Sequence, residues 1–172
     1  FTDQVFSTLK ERDILRLKGP LGSFFIREDS DKPMIFVAGG TGFAPVKAML
    51  EHAFAEHTDR ELVLYWGVRA LKDLYMADLP QRWQAERPNF TFIPVLSDPA
   101  PADAWQGRTG FVHEAVLADF DDLSGYQVYA CGAPVMVDSA REAFTRTRGL
   151  PEDEFFADAF VYAADAETTP SA

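Results

Sequence analysis

From residue 34 onward, short apolar runs alternate with longer stretches in which apolar residues recur every three or four positions. The apolar runs are predicted β-strands, and the periodic stretches are predicted helices. Because the runs are apolar throughout rather than at every second position, they indicate strands that are buried on both faces. The predicted strands are Met34–Ala38, Leu62–Trp66, Phe90–Leu96, Tyr126–Cys131 and Asp153–Tyr162.

The helices fall between these strands. Within the stretch from Leu71 to Glu86, Pro80 predicts a break or two shorter helices. The alternation predicts an α/β domain over residues 34–162 with a doubly wound, five-stranded parallel sheet, whose ligand should lie at the carboxyl ends of the strands. The predicted helices are Ala44 to about His57, Leu71 to about Glu86, Val112–Phe120 and Gly132 to about Arg148.

Residues 1–29 do not follow this pattern. They predict a helical stretch, Val5–Leu9, and two strands, Ile14–Leu17 and Phe24–Ile26, separated by the turn Gly19–Gly22. Three such elements cannot close a sheet or barrel of their own, so we expect them to be the tail end of another domain. Residues 30–33 are the predicted linker, and residues 163–172 are expected to be a frayed polar tail.

Composition and charge narrow the class of partner. The formal net charge of −11 argues against nucleic acid and against an anionic membrane surface, and it favours a small ligand or a basic protein. No apolar run has the length of a membrane span. The single cysteine, Cys131, excludes a disulfide framework within the chain and predicts a reducing, cytoplasmic environment.

The first predicted strand runs directly into Gly39, Gly40, Thr41 and Gly42, and a helix follows with Pro45 near its start. The start of a helix has unpaired N–H groups and a partial positive charge, and glycines let an anion approach the backbone. The stretch therefore predicts a pyrophosphate-binding loop. A glycine-rich turn without a ligand is the alternative.

Two further turns, Gly67–Arg69 and Cys131–Pro134, follow predicted strands and should converge on the same crevice. The pattern departs from that of ordinary dehydrogenases, because Pro45 replaces the third glycine and Arg69 stands where an acidic residue would bind a ribose. The sequence has no Gly-Lys-Ser/Thr motif of a P-loop and no Gly-x-Ser-x-Gly elbow of a hydrolase.

Taken together, the turns resemble the flavin reductases of the ferredoxin–NADP reductase type, including the reductase components of ring-hydroxylating oxygenases and CDP-6-deoxy-glucoseen reductases. The resemblance covers about Phe1 to Tyr162. Gly39–Pro45 is similar to the family's pyrophosphate loop and Cys131–Pro134 to the cysteine turn beside the nicotinamide. The other similar segments are Tyr65–Arg69, Asp73–Tyr75, Val95–Ser97, the positions Trp105, Gly107, Gly110 and Val112, and Asp158–Phe160.

The resemblance implies an NAD(P)H-dependent oxidoreductase in which hydride passes from the nicotinamide to FAD and electrons then go to an iron–sulfur centre, free flavin or a partner. It implies a flavin-binding β-barrel of which residues 1–29 are a remnant, and a ferredoxin-like or oxygenase partner. A [2Fe–2S] cluster would belong to another domain. The fragment alone is expected to lack turnover, since the family's Arg-x-Tyr-Ser flavin stretch is not in this sequence. A non-catalytic NAD(P)H-binding module is the alternative.

The resemblance also implies a set of site residues. Cys131 would form a small wall beside the reacting nicotinamide carbon, against the alternative of a buried core thiol. Arg69 permits NADPH, but the acidic surface favours NADH. The implied cofactor-binding residues are Thr2, Gly39, Gly40, Thr41, Gly42, Pro45, Gly67, Val68, Arg69, Asp73, Tyr75, Ser97, Cys131, Gly132, Pro134 and Phe160.

Overall fold

A computed structural model describes residues 2–16, 18–19 and 21–160. It has an α/β architecture in which helices follow strands as the hydrophobic pattern predicts. Single turns of 3₁₀-helix lie at Gly40–Gly42, Leu71–Asp73, Pro101–Asp103 and Glu152–Glu154. The longer elements are α1 Thr2–Ser7, β1 Met34–Gly39, α2 Phe43–Ala55, β2 Leu62–Val68, α3 Asp78–Glu86, β3 Phe90–Leu96, β4 Arg108–Thr109, α4 Val112–Asp119, β5 Gln127–Gly132, α5 Pro134–Thr147 and β6 Phe155–Ala159.

The sheet has six strands in the order β4-β3-β2-β1-β5-β6, and every neighbouring pair is parallel. The expected number was five. The additional strand, β4, pairs Arg108 and Thr109 with Val95 and Leu96 at the carboxyl end of β3. Because β4 has two residues and both are exposed, no apolar run marks it in the sequence.

Helices cover both faces of the sheet, which confirms the predicted double winding. In β1, Met34, Phe36 and Ala38 contribute to a core that α2 and α3 cover. The intervening residues Ile35 and Val37 contribute to a second core, under α4 and α5. All five of these residues are buried, which explains why the run is apolar throughout.

The stretch after β2 that was predicted as helical, Leu71 to about Glu86, forms two separate segments and not one long helix. A 3₁₀ turn at Leu71–Asp73 is separated from α3, which begins at Asp78. Pro80 is the third residue of α3, so it lies where its missing N–H has no partner to lose and is not the point of the break. The prediction of two shorter segments is confirmed, but the break lies before Pro80.

The two strands predicted within residues 1–29 are not formed in the described part of that segment. Residues 14–16 and 24–26 are irregular, and Leu17 lies outside the described residues. The β-propensity of such short runs is expressed only when a neighbouring strand supplies hydrogen bonds. The expected helix at Val5–Leu9 is observed as α1, Thr2–Ser7.

None of the described helices combines the length and the hydropathy that a membrane crossing requires. The predicted tail, residues 163–172, and the last residues of the predicted fifth strand lie outside the described residues.

Candidate functional site

The order of the strands places a crevice between β1 and β5. After β1 the chain moves toward β2, and after β5 it moves toward β6, so the connections diverge at the carboxyl ends of this pair. A cavity of about 670 Å³ opens there. It is lined by Gly39, Gly40, Thr41, Gly67, Val68, Arg69, Asp73, Ser97, Gly110, Phe111, Val112, His113, Ala133, Val135, Met136, Ser139 and Phe160.

The loop after β1 meets this cavity with its backbone. Gly40 has a φ of +53°, and a Cβ added there would have no atom within 4 Å, so the glycine serves the conformation and leaves the wall of the cavity open. The Nε1 of Trp66 donates a hydrogen bond to the carbonyl oxygen of Gly40 at 2.9 Å. The ring of Phe43 stacks on Trp66 with 4.0 Å between centroids. The buried indole of Trp66 therefore holds the loop in place on the side of the core.

Gly42 has a different role from Gly40. A Cβ on Gly42 would lie 2.0 Å from the carbonyl oxygen of Cys131 and 3.0 Å from the backbone nitrogen of Gly132. Glycine at this position therefore lets the start of α2 contact the end of β5. Gly42 is not among the residues that line the cavity. A side chain at Gly42 would therefore collide with the end of β5 and disturb the sheet.

Arg69 directly follows β2 and lines the cavity on the side of that strand. Its Nε and Nη2 donate to Asp98 Oδ2 at 3.1 and 3.0 Å. The N–H of Asp98 donates to the carbonyl oxygen of Arg69, and the N–H of Ser97 donates to that of Val68. These bonds join the loops after β2 and β3. Asp98 was not predicted as a site residue, although its neighbour Ser97 was.

Asp73 and Tyr75 follow Arg69 along the chain, but only Asp73 lines the cavity. The carboxylate of Asp73 lines the cavity and accepts the N–H of Ala70 at 3.0 Å. Tyr75 is 52% exposed, packs edge-on against Trp66 and is not a lining residue. Burial of its ring raises the pKa of the Tyr75 hydroxyl.

Cys131 lies at the end of β5, with its side chain in the core under α2. It is fully buried and is not a lining residue. Burial, and to a smaller extent the charge of Asp158, raises the pKa of the Cys131 thiol to about 12. The thiol is therefore protonated at neutral pH and has no acid–base function there.

The remaining predicted residues are distributed around the crevice. Phe160 lines the cavity, and its N–H donates to the carbonyl oxygen of Gly132 at 2.9 Å. Pro45 and Pro134 lie in the first turns of α2 and α5 and, like Gly132, are not lining residues. The side chain of Thr2 lies outside what the structure describes.

Sequence reasoning missed an aromatic part of the lining at the start of α4. Phe111 is 62% exposed, and its ring lies parallel to that of His113 with 5.9 Å between centroids. The signal in the sequence was weak: an apolar residue directly after Gly110 and before a helix. On α5, Val135 is 74% exposed at the cavity, and Met136 and Ser139 line it too.

The comparisons with known proteins agree with this geometry. The family model described as "Oxidoreductase NAD-binding domain" matches residues 36–142, from β1 into α5. The chain belongs to this family. The matched range of the NAD-binding domain contains the loops after β1, β2, β3 and β5, which together line most of the cavity.

Individual relatives have related names. The chain is 45% identical, over 94% of its length and 47% of the relative, to a CDP-6-deoxy-L-threo-D-glycero-4-hexulose-3-dehydrase reductase of Yersinia pestis. It is 36% identical, over 86% of its length and 62% of the relative, to an NAD(P)H-flavin reductase of Vibrio harveyi. The crystal structure of the Amycolatopsis cytochrome P450 reductase GcoB superposes with a TM-score of 0.76 at 38% identity, covering 84% of this chain and 43% of that one.

This NAD-binding domain spans about half the length of the curated relatives it matches first. The likeness to ferredoxin reductase-type proteins that the sequence motifs indicated is thereby confirmed, and so is the doubly wound parallel sheet.

Proposed function

We propose that this chain is the NADH-binding part of a flavin-dependent oxidoreductase. The observation that carries the proposal is the loop Gly40–Gly42, which lies at the divergence of β1 and β5 with Gly40 and Thr41 facing the cavity. The first N–H groups of a helix have no partner within it, and their partial positive charge attracts phosphate. Since no Cβ narrows the wall at Gly40, a pyrophosphate can approach the backbone there.

The two ends of the cavity suit the two ends of a dinucleotide. Arg69 and the exposed Phe111 are flat groups that can lie along a purine ring and its ribose. Gly39, Ala133 and Met136 form the opposite end, together with Phe160, and offer a small apolar wall for a nicotinamide ring. In this arrangement Cys131 lies behind the wall: its backbone packs against Gly42, just before α2, and its side chain does not reach the cavity.

We infer a preference for NADH over NADPH from the charges beside Arg69. Its guanidinium is already paired with Asp98, and the carboxylate of Asp73 lies in the same lining. A ribose 2′-phosphate would meet two carboxylates and only one arginine. The ion pair is exposed, so it is weak in energy, but it engages the guanidinium that a 2′-phosphate would need.

The flavin would be held by the sequence upstream of this chain, with Thr2 as the one residue here that the family pattern assigns to it. Bound FAD would accept hydride from the nicotinamide and release electrons singly. This chain would orient the dinucleotide and exclude water from its nicotinamide end. The names of the Yersinia and Amycolatopsis relatives favour a protein partner as electron acceptor, and that of the Vibrio relative favours free flavin. An iron–sulfur centre in another domain is a third acceptor that the proposal allows.

Calorimetric titration of the chain with NADH and, in parallel, with NADPH tests the nucleotide site. We expect NADH to bind about tenfold or more tightly than NADPH. Asp98→Asn conserves the shape of the side chain but removes the negative charge that is paired with Arg69. It should therefore reduce the ratio of NADH to NADPH affinity, mainly because NADPH binds more tightly. Equal affinities in the unaltered chain would contradict the preference. Absence of binding of both nucleotides to the full-length protein would contradict the site itself.

A further inference from the structure

A strip of chain without regular secondary structure, residues 23–32, lies across one face of the sheet near β5 and β6. We call it the strap. Helices α2 and α3 cover the rest of this face, and the strap completes the cover with Phe24 and Ile26, which pack into the same core. Ile26 is 8% exposed, and the ring of Phe24 lies 6.4 Å from that of Tyr129 in β5. The strap is therefore part of the folded core.

Polar contacts fix the backbone of the strap at its centre. The N–H of Arg27 donates to the hydroxyl of Tyr129 at 2.9 Å. The guanidinium of Arg27 lies between the rings of Phe25 and Phe156, 4.1 and 4.5 Å from their centroids. It also donates to the carbonyl oxygens of Phe25 and Ser23.

Arg60, just before β2, joins the strap to the amino ends of the strands. Its Nη1 donates to the carbonyl oxygen of Arg27 at 3.0 Å, and its Nε donates to that of Lys32. Its Nη2 donates to Gln127 Oε1 at 2.6 Å. One half-buried guanidinium thus binds two carbonyls of the strap and the first residue of β5. Three separate nitrogens donate to these acceptors, an arrangement that the single ammonium nitrogen of a lysine does not reproduce.

A second set of contacts continues from Gln127 to the end of the strap. Gln127 Nε2 donates to Glu154 Oε2 at 2.8 Å, and the ammonium of Lys32 lies 2.5 Å from Glu154 Oε1. Burial works against ionisation of Glu154, but the hydrogen bonds from Lys32 and Gln127 and the charges of Lys32 and Arg60 outweigh it and lower the pKa of Glu154. The strap is bound along its length to β5 and β6 and to the residues just before β2 and β6.

We propose that the strap is a rigid connection whose direction is set by Arg60, and that Arg60 is thereby a positioning residue for the upstream part of the protein relative to the nucleotide cavity. The proposal rests on the proposed function, in which upstream sequence supplies the flavin. Hydride transfer needs an approach of roughly 3–3.5 Å, and a displacement of about 1 Å can cost about a hundredfold in rate. A connection of loose residues could not maintain such a distance.

The test compares Arg60→Met with Arg148→Met in the full-length protein. Arg148 is a matched control: it is also half-buried and donates to backbone carbonyls, those of Phe120 and Leu117, on the opposite face of the sheet. Hydrogen–deuterium exchange is the first measurement. We expect Arg60→Met to raise the exchange rate of the Arg27 N–H, which is bonded to Tyr129, by about tenfold or more while β1 and β5 keep their rates, and Arg148→Met to leave it unchanged.

The second measurement distinguishes a change in how the upstream part is positioned from a change in the affinity for NADH. In Arg60→Met the rate of NADH oxidation at saturating NADH should fall by about tenfold to a hundredfold, while the Kd for NADH stays within about twofold. Arg60→Lys, which keeps the charge, should restore only part of the rate. If Arg60→Met does not fold, Tyr129→Phe serves instead, since it removes the acceptor of the Arg27 N–H and preserves the core volume.

The outcomes are distinct. Unchanged exchange in the strap, or a rate equal to that of the unaltered protein despite faster exchange, would overturn the role of Arg60. Loss of NADH affinity in proportion to rate would overturn it as well, since the variant would then act on the cavity. If the unaltered full-length protein binds no NADH, the proposed function fails, whatever the exchange rates show.

Discussion

Two glycines of the same loop are present for different physical reasons, and substitution distinguishes them. In Gly42→Ala the new Cβ would lie 2.0 Å from the Cys131 carbonyl oxygen, so we expect the free energy of unfolding to fall by about 3 kcal/mol or more. In Gly40→Ala the Cβ meets no atom within 4 Å, and the cost is the φ of +53°, about 1–2 kcal/mol.

Gly40→Ala, the less destabilised of the two variants, should be the one whose NADH affinity falls through a direct effect on the cavity. Gly40→Ala places a methyl group on the wall of the cavity, so NADH affinity should fall by about tenfold, or about 1.4 kcal/mol. Urea unfolding and NADH titration measure the two effects, with Gly125→Ala as a control in open space. A Gly42→Ala protein of unaltered stability that has lost NADH would show that Gly42 contacts the phosphate instead. The residue types alone could not separate these roles, since both glycines occupy one short motif.

At the level of elements, the sequence predicted most of the strands and helices because burial on both faces makes β1 and β2 apolar throughout and leaves β3 and β5 with one polar residue each, Thr91 and Gln127. It could not predict β4, whose Arg108 and Thr109 are exposed and pair only because the chain returns beside β3. It overpredicted strands near Ile14 and Phe24, where no neighbouring strand is present in the described residues. In the site, glycine turns were found from sequence, whereas Phe111 and Asp98 were not, because their positions depend on how separate loops meet.

The loop between β1 and α2 offers a prediction at this scale. Trp66→Phe keeps an aromatic ring against Phe43 but removes the hydrogen bond to the Gly40 carbonyl, so the loop loses one anchor. We expect about 1 kcal/mol less stability and NADH affinity lower by about fivefold. Trp105→Phe is the control, because the indole of Trp105 also donates to a carbonyl, that of Arg108, outside the cavity lining. Equal losses of affinity in both variants would mean that the anchor at Gly40 has no special effect.

At the scale of the whole molecule, the order of the strands in the sheet forms the site. That order cannot be predicted from hydropathy alone. Five apolar runs can be ordered in many ways, and only the pairing of β1 with both β2 and β5 brings the glycine turns to one crevice. The resemblance of the motifs to a known family supplied that order indirectly. The same molecule shows a second surface that the cavity does not explain, namely the apolar residues of the N-terminal segment.

Phe6, Ile14 and Leu21 are 86%, 99% and 76% exposed, which is unusual for large apolar side chains that are close in sequence. If residues 1–29 are the end of a flavin-binding barrel, the upstream sequence should cover them. We therefore expect this chain to bind the dye ANS and the full-length protein to bind markedly less. Ile14→Ser should lower dye binding by the chain alone, whereas Val135→Ser at the cavity should lower it equally in both forms. Equal dye binding with and without the upstream sequence would mean that these side chains face water in the complete protein, and the barrel assignment of residues 1–29 would then be wrong.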